Sequence, residues 1–186
     1  MTRRRFNTAV TAAALVAFAY LNAMVVIGEL PRQRQLVKFE AKGVMQIPPE
    51  QITQVELVQA ASKIVLHRDP EARRWATADG TVVPADAAEH LTMAVQMMNT
   101  SGPVKELLED ELHAIDRSPF GLDRPVVEAT LYRGEAPVLA MRFGKLNPEG
   151  YLQYMAVAGS SRVFLMSRFV GEEWRKAAEA LKVKRG

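Results

Sequence analysis

Apolar and polar side chains alternate through the first third of the region after residue 47. In ITQVELV (52–58) Val55 and Leu57 fall on one face; in SKIVLHR (62–68) Ile64 and Leu66 do so; in RRWATA (73–78) Trp75 is the apolar anchor. A period of two over short runs is the mark of a strand with one buried face. Ala60-Ala61-Ser62 suits a hairpin connection, and Asp79-Gly80 is a turn signal. From Pro84 to Asn99 the period lengthens: Ala87, Leu91, Ala94 or Val95, and Met98 recur at helical spacing. Pro84 fits a first helical position, and Asp86 and Glu89 suit the positive end of the helix. Asn99, Gly102 and Pro103 read as stop signals. PVKELLED (103–110) reads as a short strand and EDELHAIDRS (109–118) as a short helix.

The period of two returns after residue 125. VVEATLYR (126–133), APVLAMRF (136–143), YLQYMAV (151–157) and RVFLM (162–166) are separated by turn signals at Gly134-Glu135, Asn147-Pro148-Glu149-Gly150 and Gly159-Ser160. Leu139, Met141 and Phe143 share one face. A closing helix spans about Phe169 to Val183, with Trp174, Ala177, Ala178 and Leu181 as its apolar stripe and Glu172–Lys176 as an i,i+4 pair. Strands joined by short turns are antiparallel neighbours, and both helices must bury their stripes on a sheet face. The expected fold is therefore α+β: antiparallel sheet or sheets of short hairpin-linked strands, covered by two main helices. The order strands–helix–strands–helix admits a decayed internal repeat.

Ahead of this domain stands a different pattern. MTRRRF is followed by an apolar run from Ala9 to Ile27 whose one strongly polar member is Asn22. As a helix it would extend about 28 Å, close to a hydrocarbon core of about 30 Å. Ala17-Phe18-Ala19 is a competing signal-cleavage site, but the run continues eight residues past it, which favours an uncleaved anchor. The organisation read from this is a basic tail (1–8), one transmembrane anchor (9–30), a linker (31–46) and an α+β extracytoplasmic domain (47–186). Ala9, Ala13 and Ala17 recur every fourth residue, the spacing at which small side chains let membrane helices approach, and Asn22 lies across from them as a polar contact for a neighbouring helix. Plain alanine abundance explains the same stripe. Basic residues flank both ends, Arg3, Arg4 and Arg5 before and Arg32, Arg34, Lys38 and Lys42 after, so charge alone does not orient the segment.

The chain has 186 residues, 24 of them basic and 21 acidic. Five arginines and one glutamate stand in residues 1–35, so the rest is near neutral. That argues against a nucleic-acid partner, which demands a concentrated basic surface. There is no cysteine, which removes disulfides, thiolate metal sites and cysteine nucleophiles.

FGLDRP (120–125) sits between the charged segment and the returning strand period. Gly121 can take the left-handed conformation that ends a helical turn, Phe120 and Leu122 can pack the junction from either side, and Pro125 suits a strand's first residue. Asp123 and Arg124 are then solvated. Phe120, Gly121, Leu122, Asp123 and Pro125, with the VVEATLYRGEAPVLAMRFGK, YLQYMAV and RVFLMSR segments after them and IPPEQITQVELVQAASKIVLHRDPEARRWATADG before, resemble the "domain of unknown function 4340" family. The resemblance runs from about Ile47 to Val183. It implies an N-terminal anchor in the bacterial inner membrane, a cytoplasmic N-terminus, a periplasmic domain and, for some members, association with ABC-type transporters, including gliding-motility ones. It implies no catalytic residues.

Other candidate chemistry is sparse. His67-Arg68-Asp69 imitates a kinase triplet, but Arg74 stands where that loop needs Asn. Phosphate-loop, dinucleotide, HExxH and GxSxG patterns are absent. His67, His90 and His113 lie on three separate elements; a hydrolase pairing one with Ser160 or Ser161 is a third-rank reading. His90, Met93 and Met97 share a helical stripe, with Met98 beside it, and soft ligands of this kind suit copper(I); core filling explains the same stripe. Glu109-Asp110-Glu111 reads as a solvated helix start. The expectation is a non-catalytic single-pass protein without a cofactor, whose partners are the lipid bilayer and an envelope protein, an ABC-type transporter being the candidate. A small-ligand or copper-binding periplasmic module is the alternative.

Overall fold

In the computed structural model the described residues are 42–60, 62–69, 71 and 74–182, with Leu15, Val16 and Phe18. The chain divides into two units, Met1–Glu40 and Ala41–Gly186. Leu15, Val16 and Phe18 are helical and exposed; the rest of the expected anchor, including Ala9, Ala13, Ala17 and Asn22, lies outside the described residues. Among the described residues no helix is long and apolar enough to cross a membrane.

The larger unit is α+β, with eight antiparallel strands in one sheet. In chain order these are β1 (Gln54–Gln59), β2 (Ser62–Asp69), β3 (Arg74–Thr77), β4 (Lys105–Leu107), β5 (Val127–Arg133), β6 (Ala136–Leu146), β7 (Leu152–Val157) and β8 (Val163–Ser167); the helices are α1 (Ala85–Thr100), α2 (Glu109–His113) and α3 (Arg168–Lys182). The strands stand side by side as β3-β2-β1-β5-β6-β7-β8-β4. β1 and β5 stand side by side, third and fourth from the β3 edge, and from each a meander walks outward, so both parts share one plan: hairpin-linked strands, then a helix. The exposed edges are the two shortest strands, β3 and β4, which limits edge-to-edge pairing with other chains.

Alternation decides which face is buried. Cross-strand rows run Ile64–Leu57–Ala129–Met141 and Leu66–Val55–Leu131–Leu139, and a third runs Val127–Phe143–Met155–Phe164. All these side chains are buried in one core. Against it lie Ala87, Leu91, Ala94, Val95 and Met98 of α1 and Val170, Trp174, Ala177, Ala178 and Leu181 of α3, the stripes read from the helical period. The two helices pack on each other over the same sheet face. Trp75 ties β3 to this layer, its Nε1 donating to Thr92 Oγ1 at 3.1 Å.

β3 and β4 occupy opposite edges, so α1 must cross the sheet between them. Its 16 residues extend about 24 Å, against a sheet width of roughly 34 Å at about 4.8 Å per strand spacing; the flanking links make up the rest. Pro84 is the residue before α1, one position earlier than its expected place. Asn99, expected as a stop signal, lies inside the helix and is 8% exposed.

Asn99 instead fastens residues 42–47. Its Nδ2 donates to the carbonyls of Met45 (3.0 Å) and Ile47 (3.2 Å). In return the N–H groups of Gly43 and Met45 donate to the Asn99 and Met98 carbonyls at 2.8 and 2.9 Å. Helix C-terminal carbonyls have no partner inside their own helix, and this strap supplies one for two of them. Met45 is 2% exposed and belongs to the core. The folded unit thus starts ahead of residue 47, inside the segment expected to be linker.

A second, smaller core lies on the opposite face at the β4 end. Val163 and Leu165 of β8 point away from Phe164 and Met166, and with Leu107, Leu112 and Phe120 they form a separate cluster under α2 and the 3-10 turn Ser118–Phe120.

Asn99→Ala leaves one buried and one part-buried carbonyl without their donor and is expected to cost about 1–3 kcal/mol. Urea unfolding measures the loss. Amide exchange at Gly43 and Met45 accelerates more than at β5 residues if the strap loosens locally, whereas uniform acceleration would contradict the strap.

Candidate functional site

The FGLDRP segment covers the far face of the sheet at its β7–β8 end. Phe120 stacks on Tyr154 of β7, with ring centroids 4.2 Å apart and planes 20° apart, and Leu122 packs on the same cluster. Gly121 has φ +68°, the left-handed conformation, and ends the 3-10 turn, its N–H donating to the Ser118 carbonyl at 3.3 Å. Asp123 and Arg124 are exposed. Pro125 does not open β5, which begins at Val127; Val126 N–H nevertheless donates to the Phe143 carbonyl at 2.8 Å. The segment is punctuation with a packing role, and Asp123 makes no hydrogen bond or ion pair among the described residues.

The strand that receives this loop is bulged. Between the pairs Phe143–Met155 and Leu146–Gln153, the β6 residues Gly144 and Lys145 oppose Tyr154 alone. A Cβ on Gly144 would overlap the Phe120 carbonyl oxygen, and a Cβ on Gly121 would stand 2.6 Å from Lys145 Cγ. The two backbones can therefore touch here only without side chains. The Gly144 carbonyl is held by Gln153 Nε2 at 2.8 Å, and Gln153 is 6% exposed. Neither the bulge nor Gln153 was legible in the sequence. The glycine pair Gly121 and Gly144, each following a phenylalanine, was the available signal.

His90 sits on the half-exposed rim between the helices. Its Nδ1 lies 2.7 Å from Glu173 Oε2 of α3, and Lys176 Nζ lies 3.2 Å from Glu173 Oε1. Burial pushes the Glu173 carboxyl up, but hydrogen bonds from His90 and Lys176 outweigh it and hold the group below the usual glutamate range. Met93 is 42% exposed, Met97 is half-buried against the core and Met98 is buried within it. The stripe His90–Met93–Met97 thus faces three environments, and the strongest polar contact of His90 is a carboxylate on another helix. Among the described residues no group of three or more histidines and carboxylates is placed to hold a metal ion.

The remaining candidates are dispersed. His67-Arg68-Asp69 is part of β2, not a loop; Arg68 Nη1 donates to the Pro49 carbonyl at 3.0 Å and its guanidinium lies over Trp75, 5.8 Å from the ring centroid. His113 lies 3.9 Å from Glu109 on α2. Ser160 Oγ accepts from the Arg162 N–H in the β7–β8 turn. Glu111 caps its own helix, accepting from the Leu108 N–H at 2.9 Å. No family model, curated protein or solved structure matches the chain.

Gly144→Ala forces backbone apart and is expected to destabilise the domain by about 1–3 kcal/mol, and Gly121→Ala by about 1–2 kcal/mol. Asp123→Ala is expected to stay within about 0.5 kcal/mol of wild type. Chemical denaturation of the three variants checks the ranking, and a large loss for Asp123→Ala would contradict the packing role.

Because Glu173 titrates lower in the folded than in the unfolded chain, the unfolded state binds more protons in the window between the two values. Stability therefore rises with pH across that window, is fully present above about 4.3 and is lost as pH falls through the folded value. Glu173→Gln removes this component, so the stability difference between wild type and variant should shrink on acidification. A difference independent of pH between 3 and 6 (bounds set at roughly ±1.5 units around the usual carboxyl value) would rule the contact out.

Proposed function

We propose that the chain is a non-catalytic single-pass inner-membrane protein whose periplasmic α+β domain binds or scaffolds an envelope complex, with an ABC-type transporter as the candidate partner. The observation that carries this reading is the two-faced sheet. One face is sealed by α1 and α3, while the outward positions of β1, β2, β5 and β6 present Glu56, Lys63, His67, Glu128, Thr130 and Arg142 with the half-buried Val58, Val65 and Tyr132 among them, a broad strand surface of mixed charge with apolar interruptions. Of these, Lys63 and Glu56 pair at 2.8 Å. Such a surface suits a partner of similar polarity, since the interfaces of non-obligate complexes are about as polar as ordinary protein surface. The apolar run 9–27 supplies the tether in this reading, and the likeness carried by FGLDRP and the strand segments supports the envelope setting.

Two measurements test it together. Protease added to intact spheroplasts should digest the C-terminal domain, and the chain should remain with the membrane fraction after carbonate washing. Mild-detergent extraction should then recover it with a stoichiometric partner, released by Glu56→Lys with Glu128→Lys, which reverses the charge at two positions of the open sheet face. A protected domain, a freely soluble chain, or a partner indifferent to the double reversal would each refute the corresponding part.

A further inference from the structure

At the β6 bulge a cleft of about 320 Å³ opens between β6, β7 and the start of α3. That is the small end of the range for ligand pockets, roughly 300–1,000 Å³. Three cationic residues line it, Lys145, Arg168 and Arg175, against one acid, Glu172; the Lys145 stem also runs beside Gly121, and the Arg168 guanidinium lies over the Phe169 ring, 5.2 Å from its centroid. Glu172 is shared, lying 3.8 Å from Arg175 and 3.9 Å from Lys176, and Arg175 is also held by Glu179 at 2.6 Å. Lys145 and Arg168 have no carboxylate within ion-pair distance among the described residues. The floor includes the buried Gln153 and the backbone of Gly144, and the walls include the apolar Val126 and Leu146.

The placement runs against local electrostatics. Arg168 is the first residue of α3, and the first turn contains no acidic residue. The N-terminal end of a helix carries partial positive charge, so a cation there is disfavoured and an anion favoured. Lys145, brought to the same cleft by the bulge, adds a second positive charge. Sites where local rules fail are where function is expected.

We propose that this cleft binds a small organic anion, a carboxylate or phosphate monoester. Its charged end meets Lys145 and Arg168, with Arg175 behind them, and its short apolar part lies on Val126 and Leu146. The site is independent of the open sheet face and stands whether or not that face docks a partner.

The test uses the full-length protein in detergent, titrated calorimetrically with inorganic phosphate and separately with succinate at ionic strength fixed by sodium chloride. Saturable binding of at least one anion is expected. Lys145→Ala with Arg168→Ala should weaken it at least about tenfold, whereas Lys63→Ala with Arg74→Ala, an equal charge loss on β2 and β3, should leave it within about twofold. Circular dichroism verifies folding, and Arg168→Gln alone provides the same reading, at least about threefold weaker, should the double variant not fold. No saturable binding of either anion, or equal loss in the two double variants, overturns the site.

Discussion

Everything in the larger unit follows from sealing one face of an eight-stranded antiparallel sheet. A half-buried sheet exposes an apolar face unless something covers it, and each helix has only a stripe to offer. Two stripes laid side by side, centred on Leu91 and Trp174, meet that need. This constraint explains why the alternation keeps phase across strands distant in sequence. A slip of one residue in any pairing would turn a whole row, such as Leu66–Val55–Leu131–Leu139, to the wrong face. It also explains why the connection that carries α1 runs from one edge to the other: a helix confined to one edge would leave the central rows wet. The apolar contacts carry the layer. The ion pairs of α3, Arg175–Glu179 and Lys176–Glu173, are at least partly exposed and contribute little by comparison.

The parts legible in the sequence were those governed by local period. Val55 and Leu57, Ile64 and Leu66, and Leu139, Met141 and Phe143 were placed correctly because a strand has only two faces. Ala87, Leu91 and Met98 were placed because 3.6-residue spacing admits one stripe. What escaped were contacts whose partners are distant in sequence. Gly43 to Ile47 has no period, so nothing in it announces that Asn99 will hold it or that Met45 is core. Asn99 illustrates the difficulty: asparagine near a helix end is usually a terminator, and here its amide is used for a clasp fifty residues away in sequence. Pro125 was misjudged by two residues because proline forbids helix without prescribing where pairing begins.

The candidate sites divide in the same way. Gly121 and the solvated Asp123 were readable because a left-handed turn has a residue preference. The His90–Met93–Met97 stripe was readable as a stripe, but its environment was not, since Glu173 arrives from a helix more than eighty residues later. Spacing on one helix tells which side chains share a face; it is silent about what the neighbouring helix brings to that face. The resulting His90–Glu173 contact bridges the two helices that seal the core, which makes it a fastening within the helical layer as much as a chemical group.

The β6 bulge is where architecture and chemistry meet. A regular strand would alternate Gly144 and Lys145 between the two sheet faces; the extra residue breaks the alternation locally and re-aims both. Gly144 then gives the FGLDRP loop its closest approach through the Phe120 carbonyl, and its own carbonyl goes to the buried Gln153 amide. With that carbonyl satisfied from inside, the bulge needs no further partner for it, and Lys145 is among the residues that line the cleft with Arg168. The FGLDRP loop and the cleft that gathers cationic residues are therefore two sides of one packing solution. A change that straightens β6 would disturb both at once, while a change confined to the Lys145 or Arg168 side chain would disturb only the cleft.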